Sequence, residues 1–224
     1  MALSTDRKRA CREDLRLTRA EFAILGRLDA PQRIQLFLNA IPANHEIGGE
    51  TILSVREVLR QRRAHCIEGA FVAACALWIH GESPLLMFMD CDTSDHPHVL
   101  ALFRRGRHWG AISKHNGAQL RYRDPVYRSL RELAMSYFHE YFDRRGRKTL
   151  RSYSGAFDMR RINPALWVTC DKACQQANDR LTALRRHPLI SNRQKRLLAR
   201  RDAFEREAAK LVEYPRITPP AWRG

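Results

Sequence analysis

The chain has 224 residues, of which 44% are hydrophobic and 29% are charged, so it has enough apolar material for a globular core, which excludes wholesale disorder. Its net charge is +16, and the excess lies toward the C-terminus, where residues 144–224 carry 20 Lys+Arg against 7 Asp+Glu. The longest apolar run, residues 69–79, is too short to cross a bilayer, and the charged N-terminus lacks the apolar segment of a signal peptide. We therefore expect a cytoplasmic protein with no membrane partner.

The first third of the sequence predicts a series of helices. Residues 4–27 are charged and helical in pattern, and residues 31–40 form a short amphipathic helix with Pro31 in its first turn. A third helix begins near Ser54, whose spacing from Glu57 is that of a capping box. Residues 66–79 are apolar on every side, which predicts a buried helix, and Gly81 is suited to end it.

The middle of the sequence predicts strands, and the end predicts helices. Strands are expected at residues 84–92, 98–103 and 108–114, with a turn at 104–107 between the last two. A further extended stretch follows them and should stop at Asp124-Pro125, because proline cannot continue a central strand. An amphipathic helix at 129–142 is followed by a basic connection at 144–155 and a mostly helical region at 165–213. This order predicts an α+β fold with a small antiparallel sheet, organised as residues 1–143 and a basic helical extension, residues 144–224.

One cysteine and one histidine stand in positions that suit acyl-transfer chemistry. Cys66 is expected at the start of the buried helix, where free backbone N–H groups and the helix dipole favour a thiolate. His98 follows 32 residues later, at the start of a strand. A neighbouring imidazole can take the thiol proton and return it to a leaving group, and the free N–H groups can stabilise an oxyanion. The alternative is a cysteine that only packs in the core.

These residues resemble the transglutaminase-like, papain-related cysteine enzymes. Residues 64–70, AHCIEGA, are similar to the family's nucleophile motif G-x-C-x-D/E-x-A, with Ala64 in place of the glycine. His98 begins a strand as the family's base does, and a turn at 105–106 and an aromatic at Trp109 follow it. The resemblance covers roughly residues 30–130. The segments at 112–116 and 120–139 are also similar to those of a group of bacterial proteins with such a domain. The resemblance implies a papain/transglutaminase-like core with N-terminal helices around a central helix.

The third member of the implied triad has two candidates. The family usually places an Asp after the strand that follows the His strand, but the hairpin register expected here puts Ser113 and Lys114 opposite His98. Asn116 is a candidate because an amide carbonyl can accept a hydrogen bond from an imidazole N–H. Asp124 is the other, because it heads an Asp-Pro pair that resembles the family's. Both remain open at this point.

The resemblance implies a reaction class. Cys66 would attack a carboxamide or peptide carbonyl to form a thioester, with His98 as the general base and then the general acid. With water as acceptor the enzyme would be a cysteine peptidase or deamidase, and with an amine it would be a transglutaminase. The partner would be a protein or peptide substrate, and no metal or organic cofactor is required.

Two other features allow different functions. The basic C-terminal region would attract nucleic acid or an acidic partner, and we expect weak nonspecific nucleic-acid binding there. An inactive transglutaminase-like fold acting as a basic binding module is therefore the alternative function, although no nucleic-acid reader motif accompanies the charge. The segment at residues 90–98, DCDTSDHPH, contains metal-binding side chains, but its composition is also that of a polar turn, which we favour.

Overall fold

A central antiparallel sheet organises the chain. A computed structural model describes residues 9–216, and the sheet pairs in the order β4-β3-β2-β1-β5-β7, with β6 beside the first residues of β1. The prediction of a mixed α+β fold with an antiparallel sheet is confirmed. The strands are β1 (Leu85–Cys91), β2 (His98–Arg105), β3 (His108–Ile112), β4 (Arg123–Tyr127), β5 (Leu150–Ser154), β6 (Phe157–Asp158) and β7 (Arg186–Pro188).

The helices surround this sheet, and the central one has the bounds that the sequence predicts. They are α1 (Arg19–Gly26), α2 (Pro31–Asn39), α3 (Val55–Gln61), α4 (Cys66–Ile79), α5 (Leu130–Ser136), α6 (Gln175–Thr182), α7 (Asn192–Arg196) and α8 (Ala203–Ala208). The Ser54 hydroxyl caps α3 by accepting from the Glu57 N–H, and Gly81 follows α4 in a left-handed conformation. Of the helical region predicted at 4–27, residues 4–8 lie outside the described residues, residues 9–18 form turns and extended chain rather than helix, and only α1 is helical. Within residues 9–216, no helix is long and apolar enough to span a membrane.

Two apolar cores lie on opposite faces of the sheet because alternate strand residues point in opposite directions. Leu86, Phe88 and Val99 belong to the first core, which contains nearly all of α4 together with α1, α2 and α3. Helix α4 is buried on every side because it lies between the sheet and these helices, which explains its lack of a polar face. Met87 and Leu100 face the second core, which is formed with α5 and the residues after it.

Strand pairing crosses the expected domain boundary between residues 143 and 144. Strand β5 pairs with β1 in the middle of the sheet, and β7 pairs with β5. Residues 150–158 were expected to be mainly connection and residues 186–188 an interruption between helices. Residues 150–158 pair with the edge of β1 left open by β2, and residues 186–188 then pair with β5, so that long-range pairing decides their conformation whatever their local polarity.

The strand around Pro125 ends later in the chain than the sequence predicts. Strand β4 runs through Asp124-Pro125 to Tyr127, so the expectation that it stops at this pair is wrong. Because β4 is the edge strand beside β3, proline needs no donor on its outer side. The register also shifts between the pairs that join Trp109 to Tyr127 and Ala111 to Arg123.

Candidate active site

Cys66 lies where the buried helix α4 begins. It is the first residue of the helix and is half-buried, and His65 precedes it in an extended conformation. The first-turn N–H groups of a helix have no partner within the helix, so they remain available near the sulfur. Gly69 allows this end of α4 to approach the sheet, because a Cβ there would lie 2.5 Å from the Cβ of Lys114.

A buried carboxylate ties the start of α4 to the loop between α2 and α3. The Glu68 side chain is fully buried and accepts hydrogen bonds from Asn44 Nδ2, Thr51 Oγ1, and the backbone N–H groups of Leu53 and His65, at 2.8 to 3.1 Å. We call these five residues the Glu68 network. Burial alone would raise the pKa of Glu68, but the hydrogen bonds and the charge of His65 outweigh it and lower the pKa. The carboxylate therefore stays ionised in the core and fixes the entry into the helix.

The His65 ring stands between Glu68 and Cys66. Its Nε2 atom is 2.9 Å from the carbonyl oxygen of Thr51, 3.2 Å from Glu68 Oε1 and 3.6 Å from Glu46 Oε1. Burial disfavours the charged ring, but hydrogen bonds to the Cys66 sulfur and to Glu68 outweigh it and raise the pKa of His65 to about 11. At neutral pH this ring is an imidazolium.

His98 reaches Cys66 from the sheet. It is the first residue of β2, it is buried, and it is one of the two histidines that lower the pKa of Cys66. Burial raises the pKa of Cys66, but the hydrogen bonds from His65 and His98 and the charges of the two rings outweigh it, and they hold the pKa well below its ordinary value. The structure thus brings together the cysteine and the histidine that the sequence singles out, with a second histidine between the sulfur and a carboxylate.

Ser113 sets the tautomer of His98. Its Oγ lies 2.7 Å from His98 Nε2 and 2.5 Å from the carbonyl oxygen of Leu120. A carbonyl oxygen can only accept, so the Ser113 hydroxyl donates to Leu120 and accepts from His98. The hydrogen on neutral His98 is therefore on Nε2, which leaves Nδ1 unprotonated and able to act as a base toward the thiol.

Gln35 and His115 complete the surroundings of Ser113 and His98. The buried Gln35 amide accepts from the N–H of Ser113 at 2.9 Å and donates to its carbonyl at 2.8 Å, so it holds the backbone as a neighbouring strand would. The ring of His115 lies 5.9 Å from that of His98, edge to face. Burial, reinforced by the nearby His98, lowers the pKa of His115 to about 4, so it is neutral beside His98 at physiological pH.

The two candidates for the third member lie elsewhere. The Asn116 amide donates to the carbonyl of Tyr214 at 2.8 Å and accepts from its N–H at 2.9 Å, so it anchors the C-terminal segment. Asp124 is exposed on the edge strand β4.

The β2–β3 hairpin pairs Arg105 with His108 and Ala101 with Ile112, a register that places His115 opposite His98 when continued. The register expected from the sequence, with residues 113–114 opposite His98, is therefore wrong by one or two residues.

The acidic turn before β2 pairs with the basic C-terminal region. Asp92 lies 2.5 Å from Arg151, Asp90 lies 3.7 Å from Arg186, and Asp95 accepts from the Thr149 hydroxyl at 2.6 Å. Among residues 9–216, no three His, Cys, Asp or Glu side chains are grouped as metal ligands would be. Part of the C-terminal positive charge therefore serves contacts within the chain, whereas Arg193, Lys195 and Arg196 on α7 remain exposed.

Comparison with known proteins adds no identity. No protein-family model matches the sequence, and no curated protein shows significant similarity to it. The functional argument consequently depends on the geometry around Cys66.

Proposed function

We propose that the protein is a cysteine-dependent enzyme with a transglutaminase-like core, which cleaves or transfers an acyl group through a thioester on Cys66. One observation carries this proposal: despite burial, His98, whose Nε2 is held by the Ser113 hydroxyl, acts with His65 to keep the pKa of the Cys66 thiol at the start of α4 well below its ordinary value. A half-buried thiolate beside an oriented imidazole is the arrangement that nucleophilic cysteine catalysis requires.

The first half of the reaction forms the thioester. The Cys66 thiolate attacks the carbonyl carbon of an amide, and the C=O π electrons move to the oxygen to give a tetrahedral oxyanion. The N–H groups of the first turn of α4 have no partner within the helix, lie at the same end of it as the sulfur and are suited to stabilise this charge. Collapse of the oxyanion breaks the C–N bond, and the departing amine takes a proton from the His98 imidazolium.

The second half releases the acyl group. Neutral His98 takes a proton from water or an amine as that molecule attacks the thioester, and the C–S bond breaks to restore the thiolate. Water gives a carboxylic acid, so that the net reaction is amide hydrolysis, whereas an amine gives a new amide. Side-chain carboxamides and peptide bonds of proteins are the substrate class of this proposal. Ser113 contributes by keeping Nδ1 of His98 directed toward the reacting groups.

The test is the pH dependence of iodoacetamide labelling at each cysteine, followed by mass spectrometry. Thiolates react and thiols do not, so we expect Cys66 to label rapidly at a pH well below the free-thiol value of about 8.5. The matched internal control is the exposed Cys11, whose pKa is raised mainly by a hydrogen bond with the Asp14 side chain. In urea the two cysteines should become equivalent. Equal labelling of Cys66 and Cys11 in the folded protein would overturn the proposal and favour the basic binding module.

A further inference from the structure

We propose that the two histidines beside Cys66 divide the work: His65, paired with Glu68, holds the sulfur as a thiolate, and His98 carries the proton to and from the reactants. This inference rests on the proposed function and adds His65 as a residue that contacts the reacting sulfur.

The contacts of His65 favour a permanently charged ring. Its Nε2 faces the carbonyl oxygen of Thr51 at 2.9 Å, which can only accept, and so this nitrogen carries a hydrogen. The Glu68 carboxylate lies 3.2 Å away and the Glu46 carboxylate 3.6 Å away, and Cys66 is the next residue in the chain. A ring that faces two carboxylates and a thiolate is most stable with both nitrogens protonated.

The contacts of His98 favour a ring that can lose its proton. Its Nε2 hydrogen bond goes to the neutral hydroxyl of Ser113, and its aromatic neighbour is His115, whose neutral ring brings no negative charge. No ion pair of the described residues involves His98, whereas His65 has two. A hydroxyl stabilises an imidazolium much less than a carboxylate does, so these contacts do not fix a charge on His98.

The charges around the sulfur are consistent with this division. Glu68 on α4 and Glu46 on the loop between α2 and α3 face His65, while His98 stands at the start of β2. Tyr141, which follows α5, is also close to Cys66, but burial raises its pKa well above the ordinary value, so it stays neutral. His65 can therefore balance the thiolate throughout the cycle, and His98 is free to be charged before amine departure and neutral after it.

The experiment compares iodoacetamide labelling of Cys66 across pH in wild type, His65→Gln and His98→Gln, with Cys11 as internal reference. We expect His98→Gln to label more slowly than wild type at pH 6, because His98 also lowers the pKa of Cys66, but faster than His65→Gln, and to hydrolyse p-nitrophenyl acetate at least about 100-fold more slowly, a typical loss for a general acid–base residue. We expect His65→Gln to label at least about 10-fold more slowly at pH 6, and to recover at high pH where any thiol ionises.

A third variant separates charge from folding. His65→Lys keeps a cation beside the sulfur and should restore much of the labelling at pH 6, and circular dichroism should show all three variants folded. The inference is overturned if His98→Gln abolishes labelling at pH 6 while His65→Gln leaves it unchanged, a result that would keep the proposed function. Failure of the proposed function is distinct, because wild-type Cys66 itself would then label no faster than Cys11.

Discussion

His65 and His98 have different surroundings, although both lower the pKa of the Cys66 thiol. His65 belongs to the Glu68 network, where an ionised, fully buried carboxylate is surrounded by donors. His98 belongs to the hairpin side of the site, where its partner is the hydroxyl of Ser113. A carboxylate fixes a charge, whereas a hydroxyl fixes only an orientation. The comparison shows how the residue that each ring contacts, Glu68 for His65 and Ser113 for His98, gives two identical side chains different chemical environments.

The largest expected effect on folding comes from deleting residues 144–224. A chain that ends at residue 143 lacks β5, which pairs with β1 in the middle of the sheet, and loses Leu150, Leu189 and Ile190 from the second core. We expect it to lose cooperative folding, as measured by thermal denaturation followed by circular dichroism. A truncated chain that melts at the same temperature as the full chain would show that residues 1–143 are an independent domain.

The next largest effect is on the free energy of unfolding and tests the Glu68 network around His65. Glu68→Gln places an amide among the donors of the Glu68 network and leaves His65 without its buried counter-charge, so we expect a loss of about 3–5 kcal/mol in the free energy of unfolding by urea denaturation. The control is Glu57→Gln, which removes a pair with the exposed Arg60 and should cost less than about 1 kcal/mol. Similar losses in the two variants would contradict the buried network.

The pH dependence of the same variant gives a sign to check. The pKa of Glu68 is lowered in the folded state, so its contribution is present above the unfolded value of about 4.3 and is lost as the pH falls through the folded value. The stability difference between wild type and Glu68→Gln should therefore shrink in acid. A difference that stays constant from neutral pH to pH 3 would argue that the carboxylate is not ionised in the core.

A smaller effect tests the close approach of α4 to the sheet. In Gly69→Ala the new Cβ would lie 2.5 Å from the Cβ of Lys114, a contact that requires a backbone shift, and we expect a loss of about 1–3 kcal/mol. Gly26→Ala is the matched control, since Gly26 ends α1 with no atom within 4 Å of the added Cβ. Calorimetry should show no destabilisation in the control. Equal melting temperatures for both variants would mean that α4 has room at this position.

The smallest structural change concerns the tautomer of His98. Ser113→Ala removes the acceptor of the Nε2 hydrogen, so neutral His98 should become a mixture of tautomers, as measured by the ring ¹⁵N shifts of labelled histidine. Asn116→Ala and Asp124→Asn should leave these shifts unchanged, because Asn116 holds Tyr214 and Asp124 is exposed on β4. If Asn116→Ala changes the His98 tautomer and Ser113→Ala does not, Asn116 is the orienting residue after all.

The sequence predicts the parts of this fold that have a strong local pattern. Helix α4 is recognisable because it is apolar on every side, and the β2–β3 hairpin is recognisable because a basic Gly-containing turn separates two apolar runs. Strand β5 escapes prediction because its sequence, LRSYS, has no apolar alternation, and its conformation is imposed by pairing with β1. Local sequence pattern thus predicts the central helix and the hairpin, whereas the conformation of β5 depends on long-range contact with β1.

Only part of the candidate site can be predicted from the sequence. Cys66 and His98 are recognisable by residue type and by position at the start of an element. The Glu68 network is not, because Asn44 and Thr51 lie in a loop with no periodic signal and reach Glu68 only after folding. The expected hairpin register did point to Ser113, but a hydroxyl is not a recognisable partner for a catalytic imidazole. Only the bond from Ser113 to the Leu120 carbonyl shows that it accepts from His98.

The most direct measurement of the central claim is intact-protein mass spectrometry after mixing with p-nitrophenyl acetate, in wild type, Cys66→Ala and His98→Gln. If Cys66 is the nucleophile and His98 the base for deacylation, an acetyl group should appear on Cys66 and be cleared in wild type. It should persist in His98→Gln and be absent in Cys66→Ala. Acetylation that is unaffected by Cys66→Ala, or that is cleared equally fast without His98, would contradict the account.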